Sequence, residues 1–514
     1  MAFAPKHELL PLLGILNSRF FDFLLTVRAG KVGGVQYEAG LIQQTPVPSL
    51  SNEDIDVLGN LARRAWRIKQ KLDSTIETSH AFVLPQRSTG DEAAPRRKYA
   101  GEVDRGALEA ELGEIQREID ERVFALYEIS AADRAAIQSA PKHGAISQQD
   151  DRGESEHQAD DAEDSEEIPI GVPMLPAFSW FVGVAFGRFD KRLATGERPI
   201  PPEPEPFDPL PSRSPGMWPD GQARDLNLPD ILVDDPGHDH DLGSQVAAAT
   251  MNTGWPMPDD LRLWLSHEFF QLHIKMYSKS SRKAPIYWQL TTRSTSYSVW
   301  LYLHAFTKDT LYKVQNDYVA PKLAHEERRV ELLRRELSES PNGAKRKTLA
   351  AQATFVDELR AFLDEVKRVA PLWNPDLDDG VMINFALLWR LVPHHKPWQK
   401  ELKATWDALC SGDYDWAHLA MRLWPERVVP KCATDRSLAI AHGLEEEFWV
   451  EGSDGRWTSR TIPLKSVAEL VRERNSPAVK AALKSLLDAP TSSGKDRDGG
   501  RRAAFPAATE GVSR

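Results

Sequence analysis

The run His238-Asp239-His240-Asp241 is the most suggestive chemistry in this sequence, because alternating imidazoles and carboxylates can ligate a divalent metal. A stable site draws ligands from converging elements, however, and this run stands in a loop of Gly, Pro and Asp with no partner cluster, so it reads as solvated loop. Pro375 and Asp376, followed by Glu401 and Lys403, offer the carboxylate and lysine types of a metal-dependent nuclease core. The surrounding KPWQKELKATW has helical rather than strand periodicity, so the required geometry is not expected. His394 and His395 are adjacent and must point to different faces. Cys410 and Cys432 lack evident His and Asp companions, and two cysteines build neither a disulfide framework nor a four-cysteine zinc site. There is no GxxxxGK[ST] and no GxGxxG after a strand. Gly183 and Gly187, in the apolar run FSWFVGVAFGRF, read as close helix packing. The residues alone nominate no catalytic, cofactor-binding or metal-binding side chain.

Basic residues give a better signal. Lys275, Lys279, Arg282, Lys283, Arg293, Lys308 and Lys313 surround PIYWQL and the second aromatic stretch SYSVWLYLHAF, which alternates as a half-buried strand should. Lys and Arg at a strand edge can neutralise phosphates, while Tyr or Trp can pack on a sugar or base. These seven are the candidate DNA-binding residues. The competing reading is an ordinary solvated rim on an α+β core, with Tyr287 and Trp288 inside that core.

Helices must position most of this chain. Leu9 to Leu25 has a helical rhythm, and VQYEAGLIQQTPVP after the glycines reads as an edge strand stopped by Pro46 and Pro48. Apolar residues recur at helical spacing from Ile55 to Ile76, behind a capping-box pair Ser51 and Asp54, and again from Leu108 to Leu126, suited to antiparallel packing. Residues 320–370 read as a helical hairpin turning at SPNG. The expected organisation is the end of a domain over 1–50, a helical hairpin over 51–142, an acidic disordered linker over 143–167 and a Pro-rich connecting segment over 168–260. A C-terminal α+β domain follows over 261–490, with a disordered tail over 491–514. The fold class is α+β, predominantly helical, with a Trp-rich C-terminal part, since 12 of 15 Trp lie beyond residue 250.

The formal charge of −12 does not exclude a nucleic-acid partner, because residues 150–167 alone hold ten Asp or Glu against one Arg and the rest is near neutral. At 514 residues the chain can bury more than one core. No apolar run is long enough for a helical span, so the expectation is a cytoplasmic protein with no membrane partner.

Several stretches then carry a resemblance. LLGILNSRFFDFLL followed by VQYEAGLIQQTPVP, and later IQREIDERVFALYEIS, resemble the end of the target-recognition region in large adenine-specific DNA methyltransferases of the fused restriction-modification type. YSKSSRKAPIYWQL, YSVWLYLHAFTKDTL, NDYVAPKL and LDDGVMINFALL are similar, in that order, to the C-terminal part of PglX-type methyltransferases of phage-defence systems such as BREX and DISARM. The resemblance implies double-stranded DNA as partner and N6-adenine methylation with S-adenosylmethionine as the family's reaction. The sequence departs from the family where the chemistry resides: Asn-Pro-Pro-Tyr, which holds a flipped adenine, is missing, and Asn374-Pro375 continues into Asp376. We therefore expect the recognition and scaffold half of a split or truncated enzyme. It would hold no cofactor itself, and S-adenosylmethionine would sit on a partner catalytic half. The alternatives are a module docking other defence-system subunits, or a gene remnant.

Overall fold

The computed structural model describes residues 9–29, 39–86, 103–139, 175–202, 204–219, 229–255, 260–279 and 282–489. The acidic linker expected over 143–167 and the tail from 491 lie outside the described residues. What is described is predominantly helical, with small antiparallel sheets.

Among the described residues, six helices build the N-terminal part: α1 (Leu9–Leu16), α2 (Arg19–Ala29), α3 (Ala39–Gln43), α4 (Asn52–Asp73), α5 (Arg105–Leu126) and α6 (Ala131–Ser139). Their apolar faces close over a core of Ile15, Phe21, Leu58, Ile119, Val123 and Phe124. The Asn17-Ser18 pair makes the turn between α1 and α2, where the buried Ser18 hydroxyl donates to the Ile15 carbonyl at 2.7 Å and accepts the Phe21 amide at 3.2 Å. Ser18 thus caps α2. The capping box opening α4 forms as its spacing predicts, with the Ser51 hydroxyl on the Asp54 amide and the Asp54 carboxylate on the Ser51 amide. Arg122 reaches Asp54 at 2.6 Å and Arg64 reaches Glu111 at 3.2 Å, so α5 runs antiparallel to α4.

One local expectation fails here. Ala39–Gln43, inside the supposed edge strand, forms the helical turn α3. Among the described residues no strand lies in this part to pair with one, and a helical turn satisfies its own backbone.

A second, larger core unites Phe82 and Leu84 with side chains from Ala177 to Leu486. At its centre is a three-stranded antiparallel sheet in the order β1 (Ile231–Val233), β5 (Ser298–Tyr302), β4 (Tyr287–Thr291), with Leu232 opposite Trp300 and Trp300 opposite Gln289. β4 and β5 are buried along their whole length, not half-buried as alternation suggests. Successive strand residues face opposite ways, and both faces are covered: Tyr287 stacks on Phe186 and Trp288 stacks on Phe385. The covering on the Tyr287 side comes from the stretch expected only to connect. Its Leu175–Ala185 helix buries Trp180, Phe181 and Val182 completely, and β1 also belongs to it. Gly183 permits this approach, since a Cβ there would lie 2.3 Å from the Phe189 ring and 2.7 Å from the Tyr287 hydroxyl.

The long hairpin is Ala320–Glu339 and Gly343–Val369, with Asn342 capping the second arm. A π-helical segment, Val314–Val319, leads into the first arm ahead of Pro321, whose missing amide interrupts regular α-helical bonding. Two short hairpins complete the strands: β2 (Ser278–Lys279) with β3 (Arg282–Lys283), and β6 (Trp449–Glu451) with β7 (Trp457–Ser459). Among the described residues no single helix is long and apolar enough to cross a membrane; α1 and α2 pass such a test only as a pair bent by 66°.

Candidate functional site

The basic stretch of the sequence becomes a small hairpin mounted on a buried base. Lys275 is exposed on the Phe269–Met276 helix, Tyr277 ends that helix, and the backbone of Lys279, Arg282 and Lys283 forms β2 and β3. The Ala284 amide donates to the Tyr277 carbonyl at 3.1 Å, closing the hairpin before β4 begins.

Beneath it lies a buried polar cluster. The Tyr277 hydroxyl donates to Glu77 at 2.6 Å, and the Arg188 guanidinium donates to the Tyr277 hydroxyl at 2.5 Å. Arg188 also sits 3.4 Å from Glu77 and from the Tyr287 hydroxyl. His273 Nε2 accepts the amides of Ile286 and Tyr287 at 2.8 and 3.0 Å, so the ring must carry its proton on Nδ1. Burial, with Arg188 adding to it, holds the His273 pKa well below the ordinary imidazole value. Burial pushes the Glu77 carboxyl up against the pull of Arg188 and the Tyr277 hydroxyl. Burial also opposes the Arg188 charge, but the oxygens of Tyr287, Tyr277 and Glu77 outweigh it and hold the guanidinium above its usual pKa. The entry and exit of the basic hairpin are thus fixed by one paired charge and one neutral histidine.

The seven predicted residues do not form one patch. Lys275 and the β2–β3 hairpin lie at the Tyr287 end of β4, and exposed Lys308 follows the Tyr302 end of β5, which is the same end of the sheet. Arg293 lies in the β4–β5 turn at the opposite end, and Lys313 is exposed on the next helix, Thr310–Lys313. Arg293 instead borders a groove of about 990 Å³ with Thr291, Glu358, Phe362, Arg390 and Lys396. Glu358 accepts the Ser294 amide at 3.3 Å and the hydroxyls of Ser294 and Ser296 at 2.5 and 3.2 Å, which bolts the turn to the second arm of the long hairpin. Four carboxylates and four cations line this groove, so it offers polar contacts without a net field for a polyanion.

The other chemical candidates have structural employment. Asp241 caps the Leu242–Thr250 helix and is clamped by Arg262, while the rings of His238 and His240 pack on Tyr318. Tyr318 and Lys322, both in NDYVAPKL, tie down this loop through His240 at 2.8 Å and Asp235 at 2.7 Å. Glu401 and Lys403 lie on a helix, Lys396–Ser411, as their periodicity indicates. Among the described residues no group of three His, Cys, Asp or Glu could hold a metal ion.

LDDGVMINFALL is a stapled turn. Asn384 accepts the Asp376 amide at 2.8 Å and donates to the Gly380 carbonyl at 2.7 Å, and Gly380 takes φ +81°. Asp379 accepts the amides of His418 and Leu419 at 2.7 and 2.9 Å, where a carboxylate suits the start of the His418–Leu423 helix. Phe385 of this motif stacks on Trp288 of APIYWQL, so two stretches far apart in the chain interlock behind the basic hairpin. Sequence reasoning missed Glu77, Arg188 and His273. The one available signal was a charge inside an apolar run, Arg188 in VAFGRFD.

No family model matches the chain. It is 30% identical over 132 residues to the adenine-specific methyltransferase BrxX of Escherichia coli O9:H4, and 30% identical over 148 residues to the adenine-specific methyltransferase PglX of Lacticaseibacillus casei. These matches take up 25% and 27% of this chain and only 11% and 12% of the relatives. Over about a quarter of its length in each match, the chain is similar to adenine-specific methyltransferases of the PglX-like kind.

Proposed function

We propose that this chain is a DNA-recognition and scaffold component of an adenine-methylation system of the BREX/PglX type, acting beside catalytic residues carried elsewhere. The observation that carries the reading is the relationship to BrxX and PglX, combined with the missing Asn-Pro-Pro-Tyr in the sequence. Interlocked motifs support the scaffold role, because Trp288 on Phe385 and the Glu77–Arg188–Tyr277 cluster give the basic hairpin a rigid seat. Double-stranded DNA is the proposed partner, with Lys275, Lys279, Arg282, Lys283 and Lys308 at one end of the sheet as phosphate contacts. Arg293, in the turn at the opposite end, is the weaker member of the set, and Lys313 lies on the helix that follows Lys308. S-adenosylmethionine would be held by the catalytic component.

Binding of the purified chain to duplex DNA across a salt series, with a parallel methyl-transfer assay, tests this. The expected result is affinity that falls steeply with salt, no methyl transfer by the chain alone, and weaker binding at unchanged melting temperature for Lys279→Glu/Arg282→Glu/Lys283→Glu. Adenine methylation by the chain alone would remove the non-catalytic assignment. Loss of all DNA binding would leave a docking module for other subunits.

A further inference from the structure

The long hairpin carries a second charged surface that none of the motifs predicted. Buried residues end at Val330 on the first arm and Val356 on the second. At 1.5 Å per residue, about 14 Å of the first arm and about 20 Å of the second extend past them. Beyond them the arms carry half-buried side chains such as Leu349, which packs against the edge of the main core, among mostly exposed residues. From Arg328 to Lys347 the chain places seven Lys or Arg against three Glu, a local charge of +4 in a protein whose formal charge is −12.

Base and tip of the hairpin treat their charges differently. At the base, Lys322 pairs with Asp235 and Glu326, and Arg360 pairs with Glu327 and Asp357. At the tip, Arg335, Arg346 and Lys347 are exposed, and among the described residues they have no carboxylate partner. Lys345 reaches only the Glu336 carbonyl, at 3.4 Å. Lys345 and Arg346 also occupy the first turn of the Gly343–Val369 helix, a turn that holds no acidic residue. Cations at a helix N-terminus oppose its dipole, so they cost the fold stability rather than adding to it. Their placement makes sense if the compensating negative charge comes from outside.

We propose that the tip of this hairpin, through Arg335, Lys345, Arg346 and Lys347, is a phosphate-backbone contact for duplex DNA, separate from the β2–β3 hairpin. The proposal rests on the DNA-binding reading above and assigns it a further surface. Backbone contact by exposed Lys and Arg positions a protein on DNA without reading sequence, and each phosphate neutralised steepens the salt dependence.

The test compares the full chain with Lys345→Glu/Arg346→Glu/Lys347→Glu and with the milder Lys345→Gln/Arg346→Gln/Lys347→Gln, using a fluorescent duplex of mixed sequence across a salt series. Circular dichroism confirms that each variant keeps its helices. The expected result is a loss of roughly tenfold or more in affinity at low salt, with the log–log salt slope shallower by about 0.9 for each contact removed. If the wild type binds and both variants match it in affinity and slope, the hairpin proposal is overturned while the function reading stands. If the wild type does not bind duplex DNA even at low salt, both fall. Polyglutamate competing as well as unlabelled duplex would also overturn it, by reducing the tip to a general polyanion attraction.

Discussion

The two cores of this protein are built on different rules. The N-terminal one is aliphatic and phenylalanine-lined, and its polar contacts sit at helix ends, as in the Ser51, Asp54 and Arg122 group. The larger one buries Trp180, Trp288, Trp300, Trp373 and Trp398 and takes a charged pair, Arg188 and Glu77, inside with them. A surface cap stabilises by a small, separable amount, whereas a buried charge network is held together by all its members. Stability in the first core is therefore distributed. In the second it hangs on a few residues that also seat the basic hairpin.

Three perturbations set this contrast against measurement. Arg188→Met has the largest expected effect, because it leaves the buried Glu77 carboxyl without its cation and the Tyr287 hydroxyl without its Arg188 contact; a destabilisation of roughly 3–5 kcal/mol is expected in chemical denaturation. Adding Glu77→Gln should recover part of that loss, and a mild effect of Arg188→Met alone would show that the network is not a keystone.

Mild acid should separate the cores next. Folding holds the pKa of His240, His273, His394 and His442 below the ordinary imidazole value, mainly through burial, with His394 lowered to about 3. Groups depressed in this way bind fewer protons folded than unfolded, so stability is lost as pH falls below about 6.5, where the unfolded histidines charge. Glu77 and Asp234 work in the opposite sense, since burial raises both and their contribution grows toward low pH. In the N-terminal part, the Ser51 hydroxyl together with Arg122 holds Asp54 below the usual carboxylate value, and that contribution begins to fall only near pH 4 and is lost at still lower pH. Hydrogen exchange between pH 7 and pH 5 should therefore show the larger core loosening first, and simultaneous loosening would break the contrast.

Ser51→Ala is the smallest change. About 1 kcal/mol is expected from the lost cap, confined to protection of the α4 region in hydrogen exchange. A change spreading to β4 and β5 would mean that the two cores unfold together.

The amino-acid sequence by itself determined the parts whose information is local. Periodic Leu, Ile and Val specified α4, α5 and both arms of the long hairpin, and Ser51 with Asp54 announced a helix start that the fold realises. The predominantly helical α+β class and the burial of Tyr287 and Trp288 followed from the same kind of reading. Tertiary structure decided the rest. Alternation cannot report that a sheet is covered on both faces, and Ala39–Gln43 shows that a strand-like stretch needs a ladder partner which composition does not supply. Of seven cations near one another in sequence, Arg293 was carried to the opposite end of the sheet from Lys275 and Lys308, because an antiparallel hairpin carries its turn away from its base. Glu77 meets Tyr277 across 200 residues and Trp288 finds Phe385, and only the folded chain brings them together. Such pairings leave no periodic trace, since their free energy depends on burial that does not exist until the rest of the core has closed.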